Sequence, residues 1–127
     1  MSHILIVDDQ ANVRTAVVQL LLSCNRTDLN IDQFSNGADA LRKLQTKNYD
    51  LMIADTIMPG MNGAELLQAV RGDDHLKSLP VILMLAVGAG KKEVQEAVAL
   101  GISGFVIKPF KQDQLLAQVR KIMDWED

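Results

Sequence analysis

Four stretches of the chain are apolar without alternation: Ile4–Val7, Leu51–Ala54, Val81–Leu85 and Phe105–Ile107. A strand with one wet face alternates polar and apolar residues. A short unbroken run predicts a strand buried on both faces, which is the habit of parallel sheets. A fifth run, Ile31–Phe34, carries Asp32 and Gln33 and is expected at a sheet edge. Between the runs the apolar spacing lengthens to three and four, the period of a helix with one buried stripe. The stripes are Val13, Val17, Leu20, Leu21 and Cys24; Ala38, Leu41 and Leu44; Ala64, Leu67 and Val70; Val94, Ala97 and Val98; and Leu115, Val119, Ile122 and Met123.

Punctuation falls where these elements should end. Asn36 sits at a helix-cap position with Asp39 in the first turn. Gly101 follows the fourth stripe, where a left-handed closing residue belongs. Pro80 opens a strand, where a missing donor is tolerated. The chain therefore alternates strand and helix five times, which predicts an α/β class: a doubly wound five-stranded parallel sheet with five helices. Right-handed crossovers place helices on both faces of such a sheet. Ligands then bind beyond the carboxyl ends of the strands, near the reversal of strand order.

At those ends the first run is followed by Asp8-Asp9, the third by Asp55 and the fifth by Lys108-Pro109. Each alone is unremarkable, as a helix cap, a turn or a surface lysine. Together they bring three carboxylates and one ammonium to a single rim. Two unit charges ~4 Å apart interact by about 4 kcal/mol at an effective dielectric near 20. Three clustered carboxylates therefore call for a cation or a bound proton. Few carboxylates on an open site suit Mg²⁺, which keeps waters and accepts phosphate oxygens as further ligands.

Bulk properties narrow the function classes. A chain of 127 residues, 48% hydrophobic and 23% charged, is expected to form one domain over residues 1–127. A net charge of -3 gives no basic footprint for nucleic acid or an anionic membrane. Met1-Ser2-His3 is followed by a run of only four apolar residues before Asp8, too short for a signal-peptide core. The longest nearly apolar run, Val81 to Gly90, is far short of a membrane span. The single cysteine, Cys24, continues a helical stripe and reads as a small core residue. A cytoplasmic protein is expected.

Three motifs carry a family resemblance. Ile4-Leu-Ile-Val-Asp-Asp9 resembles the opening of response-regulator receiver domains. Asp55-Thr-Ile-Met-Pro-Gly-Met-Asn-Gly63 is similar to their phosphoacceptor strand and loop, and Gly101-Ile-Ser-Gly-Phe-Val-Ile-Lys-Pro-Phe110 to their fifth strand. The motifs occur in the family's order and span nearly the whole chain, with a layout closest to single-domain chemotaxis regulators.

The resemblance implies a flavodoxin-like receiver architecture in a two-component phosphorelay. Asp55 is then the phosphoacceptor. Asp9 binds Mg²⁺ directly, Asp8 assists, and the Ile57 carbonyl adds a ligand. Lys108 pairs with the acidic site and then with the phosphoryl group, and its bond to Pro109 is cis. The chain is then no ordinary enzyme, but catalyses its own Mg²⁺-dependent phosphorylation and dephosphorylation. The implied partners are a histidine kinase or phosphotransfer domain and an unknown downstream protein.

One segment departs from the family. Receiver domains usually close the fourth strand with Thr or Ser followed by Ala, a hydroxyl that binds the phosphoryl group. Here Leu83-Met-Leu-Ala-Val-Gly-Ala-Gly-Lys91 puts Leu85 or Ala86 at that position, and the loop is one residue longer. The aromatic switch position is Phe105, a ring without a phenol. An alternative function is thus a phosphorylation-independent docking or scaffold module on the same fold. Two other readings fail. A flavin carrier would not place Asp8-Asp9 in its phosphate-binding turn, and a haloacid-type phosphatase needs a second Asp where Ile57 stands.

Overall fold

The computed structural model describes residues 2–24 and 26–125. Strands β1 (Ser2–Val7), β2 (Leu29–Phe34), β3 (Leu51–Asp55), β4 (Val81–Leu85) and β5 (Gly104–Ile107) alternate with five helices. These are α1 (Ala11–Leu22), α2 (Gly37–Leu44), α3 (Gly63–Arg71), α4 (Lys91–Ala99) and α5 (Gln112–Met123). All strand pairs are parallel, in the order β2-β1-β3-β4-β5. The expected sheet and its five helices are present, with β2 at an edge.

The unbroken apolar runs have the expected cause. Side chains alternate faces along a strand, and here each face meets helices. Ile4, Ile6, Ile53 and Met84 pack with α1 and α5; Leu5, Val7, Ala54 and Leu83 pack with α2, α3 and α4. Ile4 through Val7 are fully buried. Met58 is buried and Met61 partly so beside them. Cys24 packs at the rim of the α1–α5 layer. Trp125 closes the end of α5 against the body, with the Arg26 guanidinium 4.6 Å from its ring centre.

Two helical stripes are displaced from the expected ones. In α2 the buried residues are Gly37, Ala40 and Leu44, while Ala38 is exposed. In α4 only Ala97 is buried, and Val98 is 59% exposed. A helix of eight or nine residues presents barely two turns, so small shifts in docking exchange neighbouring positions at the edge of the stripe. Asn36 caps α2 by accepting from the Asp39 N–H at 2.8 Å, and Gly101 closes α4 at φ +85°.

Candidate acidic site at the strand ends

Strand order reverses at β1: the chain leaves to β2 on one side and returns through β3 on the other. The crevice between the carboxyl ends of β1 and β3 is where such sheets bind ligands. Asp8 and Asp9 follow β1 there, Asp55 ends β3, and Lys108 follows β5. Carboxylate oxygens of Asp8, Asp9 and Asp55 lie within 4.8 Å of one another. The Lys108 ammonium donates to Asp8 Oδ2 at 3.0 Å and lies 3.2 Å from Asp55 Oδ2. All four residues read from the sequence converge.

Their environments differ sharply. Asp8 is fully buried and Asp55 is 4% exposed, whereas Asp9 is open to solvent. Asp8 is held by its backbone as well as by Lys108. Its N–H donates to the Phe34 carbonyl at 3.1 Å, and its Oδ1 accepts from the Gln10 N–H at 2.9 Å. Asp55 Oδ1 accepts a long bond, 3.4 Å, from the Ile57 N–H. Its side chain is thus less restrained than that of Asp8.

Burial, then the negative charge of Asp8, pushes the Asp55 carboxyl above the usual carboxylate range, and Lys108 opposes the rise. Burial alone would lower the Lys108 ammonium. Its bonds and attraction to Asp8, then Asp55, outweigh burial and hold it above the ordinary lysine value. One ammonium faces three carboxylates, so the rim carries excess negative charge. A hard cation with oxygen ligands fits that donor set.

The surrounding loops are fixed by further close contacts. Gly63, at the start of α3, lies so close to β3 that a Cβ would sit 2.3 Å from the Asp55 carbonyl. Its N–H donates to the Thr56 carbonyl at 3.1 Å. The Thr56 N–H and hydroxyl reach the Met84 carbonyl at 3.1 and 3.3 Å, tying the ends of β3 and β4 together. Arg14, expected from the sequence as a solvated helix residue near the mouth of the site, is partly exposed there and donates to the Asp8 carbonyl. These roles depend on contacts across the β1–α1 turn for Arg14, within the β3–α3 loop for Gly63, and between the ends of β3 and β4 for Thr56. The Lys108–Pro109 peptide is cis.

At the end of β4, Leu85 is buried among the α2–α4 layer and Ala86 is half-buried. Neither offers a hydroxyl. The Leu85 carbonyl accepts from the Lys108 N–H at 2.9 Å, so β4 touches the site through its backbone. Phe105 packs partly buried at the edge of the same layer. Ile57 and Val87 stand 65% and 74% exposed beside the site.

A family model for the response regulator receiver domain matches residues 4–120. The chain is 40% identical over 121 residues to the chemotaxis protein CheY of Pseudomonas aeruginosa, covering 95% of each. It is 37% identical to CheY-3 of Vibrio cholerae, covering 95% of this chain and 91% of that one. Among solved structures, the chemotaxis protein CheY4 of Vibrio cholerae superposes with a TM-score of 0.84 at 30% identity, over 96% of this chain and 98% of that chain. No helix among the described residues is long and apolar enough to cross a membrane. Acidic rim, sheet order and family match agree: the chain belongs to the response-regulator receiver domains of two-component signalling.

Proposed function

We propose that Asp55 accepts a phosphoryl group from a histidine kinase or phosphotransfer domain. The observation that carries this reading is the placement of the Asp55 carboxylate, 3.2 Å from Lys108 and beside two further carboxylates at an open crevice. An Asp55 oxygen attacks phosphorus in line. A P–O bond forms, the P–N bond to the donor imidazole breaks, and an acyl phosphate results. Lys108 offsets charge on the phosphoryl oxygens, which is most of what such a transfer requires. Hydrolysis reverses the state: water attacks phosphorus, the acyl P–O bond breaks, and orthophosphate leaves.

Asp9 and Asp55 are the direct carboxylate ligands for Mg²⁺ in this reading, with Asp8 alongside and the Ile57 carbonyl adding an oxygen. When bound, the ion supplies charge neutralisation for the transferring oxygens. Asp8 is already committed to Lys108 and the Gln10 N–H, which favours Asp9 as the more available of the adjacent pair.

The test is electrophoresis on a phosphate-retarding gel after acetyl phosphate treatment, with and without Mg²⁺. A retarded species that needs Mg²⁺ and disappears in Asp55→Asn is expected. Retardation persisting in Asp55→Asn overturns the assignment. A second reading, docking without phosphorylation, draws support from the missing hydroxyl at Leu85 and Ala86. A differential contact is needed to shift a conformational equilibrium, and a hydroxyl to a charged oxygen supplies about 1.5–3 kcal/mol. Beryllofluoride is therefore expected to move NMR signals near Asp55 and only weakly those across Lys91–Lys108. Large changes there would show that the Val87–Gly90 loop replaces the hydroxyl.

A further inference from the structure

A groove of about 670 Å³ runs between α3 and α4, separate from the acidic crevice and joined to it at Thr56 and Ala86. Its floor is apolar: Leu83 and Leu85 of β4 are buried beneath it, with Ala97 the inward residue of α4. Ala64 lines the α3 wall. Ala97 is the one buried residue of α4, a side chain too short to fill the space toward α3, and Val94 packs only partly buried beside it. Arg71 holds the far end of α4. Its Nε and Nη2 donate to the Gly101 carbonyl at 3.1 and 2.8 Å, and its Nη1 to the Leu79 carbonyl at 2.8 Å. The near end leads into the loop over residues 88–90, where Gly88 and Gly90 are exposed and Ala89 packs partly buried.

The groove is also polarised. Glu93 and Glu96 of α4 line it, and no lysine or arginine does. The Glu93 carboxylate accepts from the Gly90 N–H at 2.9 Å. Backbone N–H groups, its own first, hold it below the usual carboxylate range. Glu96 has an exposed contact with Lys92 at 4.0 Å, and such pairs bind weakly. An apolar floor under an acidic wall selects an apolar anchor with positive charge beside it. The apolar surface continues outward through the exposed Val87 and Ile57.

We propose that this α3–α4 groove docks a partner segment that inserts an aliphatic side chain and carries lysine or arginine next to it. The mode is that of an amphipathic helix in an apolar groove. The inference extends the phosphoacceptor reading by naming the chemistry of a partner at the neighbouring face. It stands on the groove itself, so phosphate-retarding gels test the one and peptide binding the other.

The probe is a short amphipathic peptide of leucine and lysine, with a leucine–glutamate peptide of the same pattern as control, titrated into the ¹⁵N-labelled chain. Saturable shifts at Ala64, Gln68, Ala97 and Leu100 are expected with the lysine peptide only. Gln68→Trp, which fills the groove from an exposed position, and Glu96→Lys, which reverses its wall, are each expected to weaken binding by roughly three- to tenfold. Asp113→Lys, on exposed α5, is expected to leave it unchanged. Equal binding of the glutamate peptide overturns the proposal. So do equal weakening by Asp113→Lys, shifts centred on Asp9 or α1, or groove variants that bind as the natural chain. Shifts at the groove amides that appear with protein concentration alone, without peptide, would assign it to a second copy of the chain instead.

Discussion

The two ends of the molecule's signalling edge are built to different standards. The rim formed by β1, β3 and β5 is tightly specified. Asp8 is buried and bonded on both carboxylate oxygens, Lys108 bridges it to Asp55, and Gly63 lets α3 press against the acceptor strand. The neighbouring end of β4 and α4 is loosely specified. Leu85 and Ala86 carry no polar side chain, α4 buries Ala97 with Val94 only partly buried beside it, and a groove remains. Proximity therefore does not imply shared constraint. The phosphoryl transfer proposed at Asp55 needs groups held to within fractions of an ångström. Coupling to α4 needs only a difference in free energy between two packings.

The sharpest way to break this comparison is at Lys108. Lys108→Met removes the cation that faces two buried carboxylates. Leaving buried charge unpaired costs about 3–5 kcal/mol, and a fall of that size in urea-unfolding free energy is expected without Mg²⁺. Asp55→Asn acts in the opposite direction. A carboxyl raised in the folded state contributes stability at low pH that is lost as pH rises through its folded value. Near neutral pH, amide replacement is thus expected to raise the melting temperature by about 3–6 °C, corresponding to about 1 kcal/mol. A fall in Asp55→Asn, or no change in Lys108→Met, would contradict the charge balance described for the rim.

Next in size is the response to Mg²⁺. At a free concentration a hundredfold above its dissociation constant, binding adds about 2.7 kcal/mol to folding stability. A rise in melting temperature with Mg²⁺ is expected in the natural chain and is expected to vanish in the Asp9→Asn, Asp55→Asn double variant. Persistence of the full rise would place the ion elsewhere.

A smaller effect tests the apolar mouth. Ile57 is exposed beside Asp55 and its side chain cannot orient water. Ile57→Asn is expected to speed loss of the acyl phosphate about fivefold, worth about 1 kcal/mol of barrier. Equal or slower loss, followed by time-resolved phosphate release, would show that the mouth does not limit water attack.

The smallest expected change calibrates the others, because it lies in a charged cluster with no part in either region. Asp32 on edge strand β2 accepts from the Lys47 ammonium at 2.8 Å and from the Tyr49 hydroxyl. The Lys47 bond, then the Tyr49 bond, holds its carboxyl below the usual carboxylate range. Burial, then Asp32, pushes the Tyr49 hydroxyl up, so it remains a donor. The Asp32 contribution is present above the ordinary carboxylate range and lost as pH falls through its lower folded value. Asp32→Asn is expected to cost about 0.5–1 kcal/mol near neutral pH, reduced by solvent screening. The difference should shrink below about pH 4, with no dependence on Mg²⁺. A Mg²⁺-dependent penalty here would mean that stability is not reporting the acidic rim specifically.

Sheet, helices, and the three carboxylates with their lysine were legible in the chain because each follows from a local rule. A strand buried on both faces must be apolar throughout, and a parallel sheet delivers its strand ends to one rim. Those two rules alone put Asp8, Asp9, Asp55 and Lys108 on one rim. Tertiary structure alone separated Asp8 from Asp9, adjacent carboxylates of which one is fully buried and the other open. It alone drew Arg14 onto the Asp8 carbonyl, tied Thr56 to β4, and turned α2 on Ala40 rather than Ala38. It also left a groove where α4 rests on Ala97. The physical reason is common to all of these. Periodicity states which side of an element is apolar, but burial, pairing and empty space are set by how two elements meet. That is decided by side chains far apart in the chain.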